Sequence, residues 1–313
     1  MEASIALKKV GKLSGEKTVL ADLTFGIEKG SLTAIIGAND AGKSTLMNVM
    51  AGIELPNYGS IYIDGLDLTK RRAEIRKEIG YIPLDADLES GMTIEENIHF
   101  IASLYSIEKA TIQSRLYRYC EELNLGEILE EYPDDISTGL QKKAMLLRVL
   151  VMDVSIIYLD EPTAFMDPDS SRQTWSILKN LRPEKTIVYT SQNLKEVEKN
   201  HDRILVLKEG KIVLDGSLDS LLETTVEYHQ FRLDLNSIGK DILDKLEKIP
   251  SVVTPKINGK TLTFYGNSKS VFFHVLKTID LDRLLEDESS DNCIKCKRYT
   301  ELSTSIQSII DNL

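Results

Sequence analysis

Gly37-Ala38-Asn39-Asp40-Ala41-Gly42-Lys43-Ser44 is the stretch on which the fold turns. It fits the spacing G-x-x-x-x-G-K-[ST] and is followed by Thr45. Before it, Leu32–Ile36 is a short apolar run of buried-strand length; after it, Leu46, Val49 and Met50 mark one face of a helix. Strand, Gly-rich loop and helix, in that order, are the context in which this spacing carries chemistry. The glycines let backbone N–H groups wrap a phosphate, and the helix N-terminus adds favourable partial charge. On this reading Lys43 reaches the β- and γ-phosphates and the Ser44 hydroxyl ligates Mg²⁺.

A second element lies about 120 residues further on, where Ile156-Ile157-Tyr158-Leu159 ends in Asp160-Glu161-Pro162. An apolar strand closing on two carboxylates suits a site in which one acid holds the metal, directly or through water, and the second polarises the attacking water. Between the two, Ile136-Ser137-Thr138-Gly139-Leu140-Gln141 opens the helical pattern Lys142–Met152. Ser137 and Gly139 at that helix start form another anion-binding end.

The surrounding pattern is that of an α/β core. Ile187–Thr190 is a further continuous apolar run, and Ile204–Leu207 and Lys211–Leu214 bracket the hairpin turn Glu209-Gly210. Ile61–Ile63 alternates with polar residues as an exposed strand does. Apolar strands separated by helices indicate a parallel sheet buried on both faces. Residues 85–151 are helical instead, with a capping box at Thr93 and Glu96 opening Ile94–Tyr105 and a second helix over Ile112–Leu123. Leu146, Leu147, Leu150 and Val151 form a core stripe behind Ser137 and Gly139. From Glu223 onwards the character changes. Tyr228–Leu235 alternates as a strand, Ile238–Ile249 has a helical stripe, and Val252–Ile257 and Thr261–Tyr265 flank Asn258-Gly259 as a hairpin. Val271–Ile279 and Ile306–Leu313 are helical, so residues 223–313 are expected to form a small α+β, ferredoxin-like domain after a first domain of residues 1–222.

Composition narrows the function. The 313 residues are 42% hydrophobic and 28% charged, which is ordinary globular usage. A net charge of −11 lacks the concentrated basic face of a nucleic-acid binder, so no nucleic acid is expected as partner. No apolar stretch of about eighteen residues occurs and the N-terminus has no apolar signal region, so neither membrane spanning nor secretion is expected. Three cysteines make no disulfide framework, and the lone C-x-x-C at Cys293 and Cys296 has no second ligand pair for zinc. The single Trp175 is expected to pack the helix that follows Asp167-Pro168.

Together these motifs resemble the nucleotide-binding subunit of ABC transporters, over roughly residues 3–222. The resemblance implies a P-loop NTPase fold, with a RecA-like core and a helical subdomain. It implies ATP and Mg²⁺ as cofactors, Gly37–Thr45 as the Walker A loop and Ile136–Gln141 as the signature loop. Ile156–Asp160 becomes Walker B, with Glu161 as the catalytic carboxylate, and Asp167 belongs to the D-loop over Ala164–Pro168. It further implies a head-to-tail dimer with two ATP molecules between subunits, Ser137 of one chain facing the γ-phosphate held by the other. The partner is then an integral membrane permease receiving force near Pro83–Tyr105, and the chain sits on the cytoplasmic face of the membrane. The small C-terminal appendage resembles the exporter branch, whose permease is a separate chain. ABC proteins of translation or repair carry two ATPase domains or long coiled coils, neither of which occurs here.

Four positions depart from the family. Leu84 stands where a Gln senses the γ-phosphate, and leucine has no lone pair to offer. Gln192 replaces a His; its amide can donate a hydrogen bond but carries no positive charge. The aromatic that stacks on adenine is missing near Leu13–Ser14. Asp40 occupies a common Gly position, where a carboxylate about 6 Å from the triphosphate would cost roughly 3 kcal/mol per unit charge unless it faced solvent. Two functions follow: an ATPase using Lys43, Ser44, Asp160 and Glu161 with Gln192 in place of the His, or an ATP-binding, weakly hydrolytic subunit paired with a more complete paralogue.

Overall fold

The computed structural model describes residues 3–85, 88–218, 220–221, 229–235, 242–246, 249, 252–266, 275 and 296–302. The chain opens with two long antiparallel strands, β1 (Ala3–Ser14) and β2 (Lys17–Glu28), which turn at Gly15. Their pairing carries register shifts between Leu7 and Val10 and between Val10 and Leu13, with Lys9 and Asp22 at positive φ. Each bulge leaves an extra residue unpaired and slips the two-residue alternation, which hides these strands in the sequence.

Next come β3 (Leu32–Ile36), α1 (Lys43–Met50), β4 (Tyr58–Ile63) and β5 (Leu66–Asp67). The first sheet has the order β2-β1-β4-β5. Ile61 and Ile63 on β4 were expected on an exposed strand, but both are buried. Their alternation reflects one face on the core and the other, with Tyr62, towards solvent.

The chain continues through α2 (Arg72–Ile75), β6 (Ile79–Ile82), α3 (Ile94–Leu104), α4 (Lys109–Leu123), α5 (Thr138–Met152) and β7 (Ile156–Asp160). It then runs through α6 (Pro168–Asn180), β8 (Thr186–Thr190), α7 (Leu194–Val197), β9 (Arg203–Lys208) and β10 (Lys211–Gly216). The central sheet has the order β10-β9-β3-β8-β7-β6, parallel from β9 to β6 with β10 antiparallel at one edge. β3, β7 and β8 are buried along their whole length, as continuous apolar runs require. Parallel registry sets Ile35 beside Thr190 and Thr190 beside Asp160, so the C-terminal ends of these strands open on one edge. Glu209 and Gly210 both lie at positive φ between Lys208 and Lys211, the two-residue turn that the hairpin needs.

The helical segment packs α3 and α4 against α5. At its entrance the capping box is complete: Thr93 Oγ1 accepts from the Glu96 amide at 3.2 Å, and Glu96 Oε2 accepts from the Thr93 amide at 2.9 Å. The stripe of Leu146, Leu147, Leu150 and Val151 is buried. Trp175 on α6 is also buried and meets Tyr189 on β8 edge-on, with ring centroids 4.7 Å apart.

The chain divides into two units, residues 1–217 and 218–313. In the second, β11 (His229–Leu235), α8 (Ile242–Leu246), β12 (Val252–Asn258), β13 (Thr261–Gly266) and β14 (Cys296–Leu302) give an antiparallel sheet of order β12-β13-β11-β14. That order, with α8 between β11 and β12, is the ferredoxin-like arrangement. Asn258 pairs with Thr261, so the hairpin turns on Gly259-Lys260, one residue later than the Asn-Gly pair suggests. The helix expected over Val271–Ile279 lies outside the described residues except for Val275, which is buried with Phe231, Leu246 and Phe264. The segment Ile306–Leu313 and Cys293 also lie outside them. Among the described residues, no helix is long and apolar enough to cross a membrane.

Candidate nucleotide site

The loop between β3 and α1 is drawn tightly against the sheet. A Cβ on Gly37 would lie 2.2 Å from the Leu207 carbonyl oxygen on β9, so only glycine fits there. The Ala41 carbonyl accepts from the Gly210 amide at 3.1 Å, which ties the loop to the β9–β10 turn. Gly42, at φ 102°, caps α1 without a side-chain bond to its first turn. The leading amides of α1 therefore face outward with their partial positive charge.

Lys43 is 8% exposed, and its ammonium donates to the carbonyls of Gly37 at 2.9 Å and Ala38 at 3.0 Å. Burial pulls its pKa down, while Glu161, Asp160 and Asp40 oppose that shift. Ser44 is exposed and Thr45 half-buried. Asp40 sits at φ 63° in the left-handed region, a conformation that Asp tolerates better than most residues, and is exposed to solvent.

Across the cleft, Asp160 is buried at the end of β7, and its Oδ1 accepts from the Thr190 hydroxyl on β8. The same Thr190 oxygen accepts from the Glu161 amide at 3.0 Å. Glu161 follows the strand at φ 50°, a left-handed corner that re-aims its side chain. Its Oε2 accepts from the Gln192 amide at 3.2 Å, while Oε1 is buried with no hydrogen-bond partner among the described residues. Burial pushes the Glu161 carboxyl upward; the Gln192 amide and Lys43 push the other way.

A cleft of about 680 Å³ joins these groups, lined by Asn39, Asp40, Gly42, Lys43, Ser44, Thr45, Asp160, Glu161 and Gln192, with Ser14, Lys17, Val19 and Leu84 completing the wall. Ser137, Gly139 and Asp167 do not line it. Ser137 caps α5, its Oγ accepting from the Leu140 amide at 3.3 Å. A Cβ on Gly139 would fall 2.7 Å from the Phe165 carbonyl, so signature loop and D-loop touch through backbone. Asp167 caps α6 through the amides of Asp169 and Ser170; the Ser170 hydroxyl foremost, with these amides, holds its carboxyl down at about 2.

Two participants escaped the sequence reading. Thr190 carries no motif of its own, although it precedes the Ser191-Gln192 pair. Lys142, 1% exposed on α5, donates to the Pro83 carbonyl at 2.6 Å and the Asp160 carbonyl at 3.0 Å, and burial holds its pKa down at about 8. The one available signal is a lysine in a mostly apolar helical stretch, and Lys143 and Arg148 share it.

The oxygen donors here suit Mg²⁺, a hard cation that takes one or two protein ligands and fills the rest of its shell with phosphate and water. Ser44 and Asp160 face one cleft, and among the described residues no group of three or more His, Cys, Asp or Glu could hold a metal as a closed cage. A phosphate loop at the end of one parallel strand, with carboxylates at the end of another in the same sheet, defines a P-loop nucleoside triphosphatase.

The ABC transporter family profile matches residues 20–164. The ABC transporter ATP-binding protein NatA of Bacillus subtilis is 31% identical over 205 residues, 65% of this chain and 83% of that protein. The Nod factor export ATP-binding protein I of Paraburkholderia xenovorans is 28% identical, over 84% of this chain and 86% of that protein. Human ATP-binding cassette sub-family A member 10 is 29% identical over 98% of this chain, which spans only 20% of that protein. A solved ATP-binding subunit of an ABC transporter superposes with a TM-score of 0.67 at 26% identity, covering 70% of this chain and 92% of that one. The chain belongs to the ATP-binding proteins of ABC transporters and is an ABC-type ATPase.

Proposed function

We propose that Glu161 is the residue on which ATP hydrolysis depends, with Lys43 and the amides of Gly37–Thr45 binding the phosphates. The observation that carries this is the Glu161 carboxylate, fixed on one oxygen by the Gln192 amide and unpartnered on the other, in the cleft that Lys43 lines. The unpartnered oxygen accepts the proton of an attacking water, and burial raises the affinity of the carboxylate for that proton. Gln192 orients Glu161 through its backbone and offers its side-chain amide to the γ-phosphate. Ser44 and Asp160 hold Mg²⁺, which neutralises charge on the phosphate oxygens. Thr190 keeps Asp160 and the Glu161 amide in one fixed geometry.

In the assembly, Ser137, Gly139 and Asp167 meet the nucleotide held by a second chain, a copy of this one or a paralogue. A separate membrane permease receives the motion, on the cytoplasmic face of the membrane and in the direction of export. The assembly partner is supported by the relatives' names and by the absence of a spanning helix among the described residues.

Single-turnover hydrolysis by the purified chain, alone and with its permease, tests the assignment. Glu161→Gln lowers the rate by about 10²-fold or more while ATP still binds. A rate that is negligible beforehand and unchanged by Glu161→Gln overturns it in favour of an ATP-binding, non-hydrolysing subunit.

A further inference from the structure

An ammonium group at 1% exposure is expensive unless something needs it, because burial of an unpaired charge costs far more than burial of an alkyl chain. Lys142 stands one turn into α5, between Gln141 and Lys143, in a helix that is buried from Lys142 to Met152. Among the described residues, neither of its hydrogen bonds goes to a carboxylate. Both go to backbone carbonyls, that of Pro83 after β6 and that of Asp160 at the end of β7. The charges that favour its ammonium are those of Asp160, Asp85 and Glu161.

The two carbonyls belong to the segments that the proposed chemistry most needs to keep in place. Pro83 precedes Leu84, which lines the cleft but has no polar side-chain atom with which to hold its loop to a nucleotide. Asp160 precedes Glu161, whose left-handed corner must be held from the strand side. Lys142 grips both from beneath, and its own helix begins at Ser137. One side chain thus joins the start of α5, the loop after β6 and the carboxylate corner. The neighbouring Lys143 does something different, donating to Gln173 Oε1 on α6 at 3.2 Å.

We propose that Lys142 is a positioning residue for hydrolysis: by capturing the Pro83 and Asp160 carbonyls it holds the Leu84 loop and the Glu161 corner in register with the signature helix. The inference rests on the reading of Glu161 as the hydrolytic carboxylate. It assigns no contact between Lys142 and nucleotide, so its loss acts on turnover and leaves affinity nearly untouched.

The test uses the full chain with Lys142→Met, which keeps the stem and removes both bonds, Lys142→Gln, which keeps one donor group, and Lys143→Met as the neighbouring control. With MgATP, Lys142→Met lowers kcat by about tenfold or more while the Kd of a fluorescent ATP analogue moves by less than about threefold. Lys142→Gln recovers part of the turnover, and Lys143→Met stays within about twofold of the parent. Hydrogen exchange without nucleotide speeds up at residues 82–85 in Lys142→Met and is unchanged along α5. Parent-like turnover in Lys142→Met overturns the inference, and so does a parallel loss of turnover and affinity with exchange raised throughout α5. Glu161→Gln, assayed alongside, separates the two readings. If it abolishes hydrolysis and Lys142→Met does not, only the role of Lys142 falls; if it leaves the rate unchanged, the hydrolytic reading itself falls.

Discussion

Asp40 shows how one side chain can be read from two physical constraints. The backbone at φ 63° suits glycine, and an anion near a phosphate loop opposes the ligand that the loop attracts. Exposure resolves most of the second conflict, since solvent and salt screen a carboxylate that faces water. The remaining repulsion is well below the unscreened figure of roughly 3 kcal/mol. Asp40→Gly removes both the strain and the charge, so MgATP binds about two- to fivefold more tightly, a modest gain because the charge is largely screened. Nucleotide titration at low and high salt measures this, and the gain shrinks at high salt. An affinity unchanged at both salt concentrations would mean that Asp40 is electrostatically silent.

At the scale of elements, the site is made by strand ends held in parallel registry, and Gly37 is where the phosphate loop meets β9 backbone to backbone. A methyl group there meets the Leu207 carbonyl at 2.2 Å, and neither partner is a flexible side chain. Gly37→Ala therefore forces the end of β3 away from β9. The expected cost is about 1–3 kcal/mol of stability, as for overpacking in a tight core, together with loss of measurable ATP binding. Thermal unfolding and nucleotide titration check the two parts separately; retained binding would show that the loop adapts without help from β9. The same strands explain what was legible in advance. β3, β7 and β8 are wholly buried, so their apolar runs stand out in the sequence, as do the two carboxylates that close β7. β1 and β2 were not legible because bulges at Lys9 and Asp22 interrupt their alternation. Leu84 and Gln192 could be placed from neighbouring motifs, and both line the cleft. Lys142 could not, because its partners lie 59 and 18 residues away and neither is a side chain.

For the whole molecule, the informative fact is which proposed nucleotide contacts the cleft leaves out. Asn39, Asp40, Gly42–Thr45, Asp160, Glu161 and Gln192 gather around one cavity, whereas Ser137, Gly139 and Asp167 do not line it. Ser137 is exposed at the start of a fifteen-residue helix, and its leading amides offer an anion a second half-site. A half-site that this cleft leaves unused gains a function when a second chain brings a triphosphate to it. Two-fold pairing supplies that contact twice, because an isologous dimer repeats every contact. Slowing hydrolysis should then trap the pair. Glu161→Gln with MgATP is expected to sediment at about twice the single-chain mass, reverting when ATP is removed. Adding Ser137→Arg places a bulky side chain where the phosphate must seat, so it abolishes the ATP-dependent dimer while each chain keeps its own affinity for ATP. A trapped dimer that survives Ser137→Arg would mean that the signature helix does not face the partner's nucleotide, and the head-to-tail arrangement would fall with it.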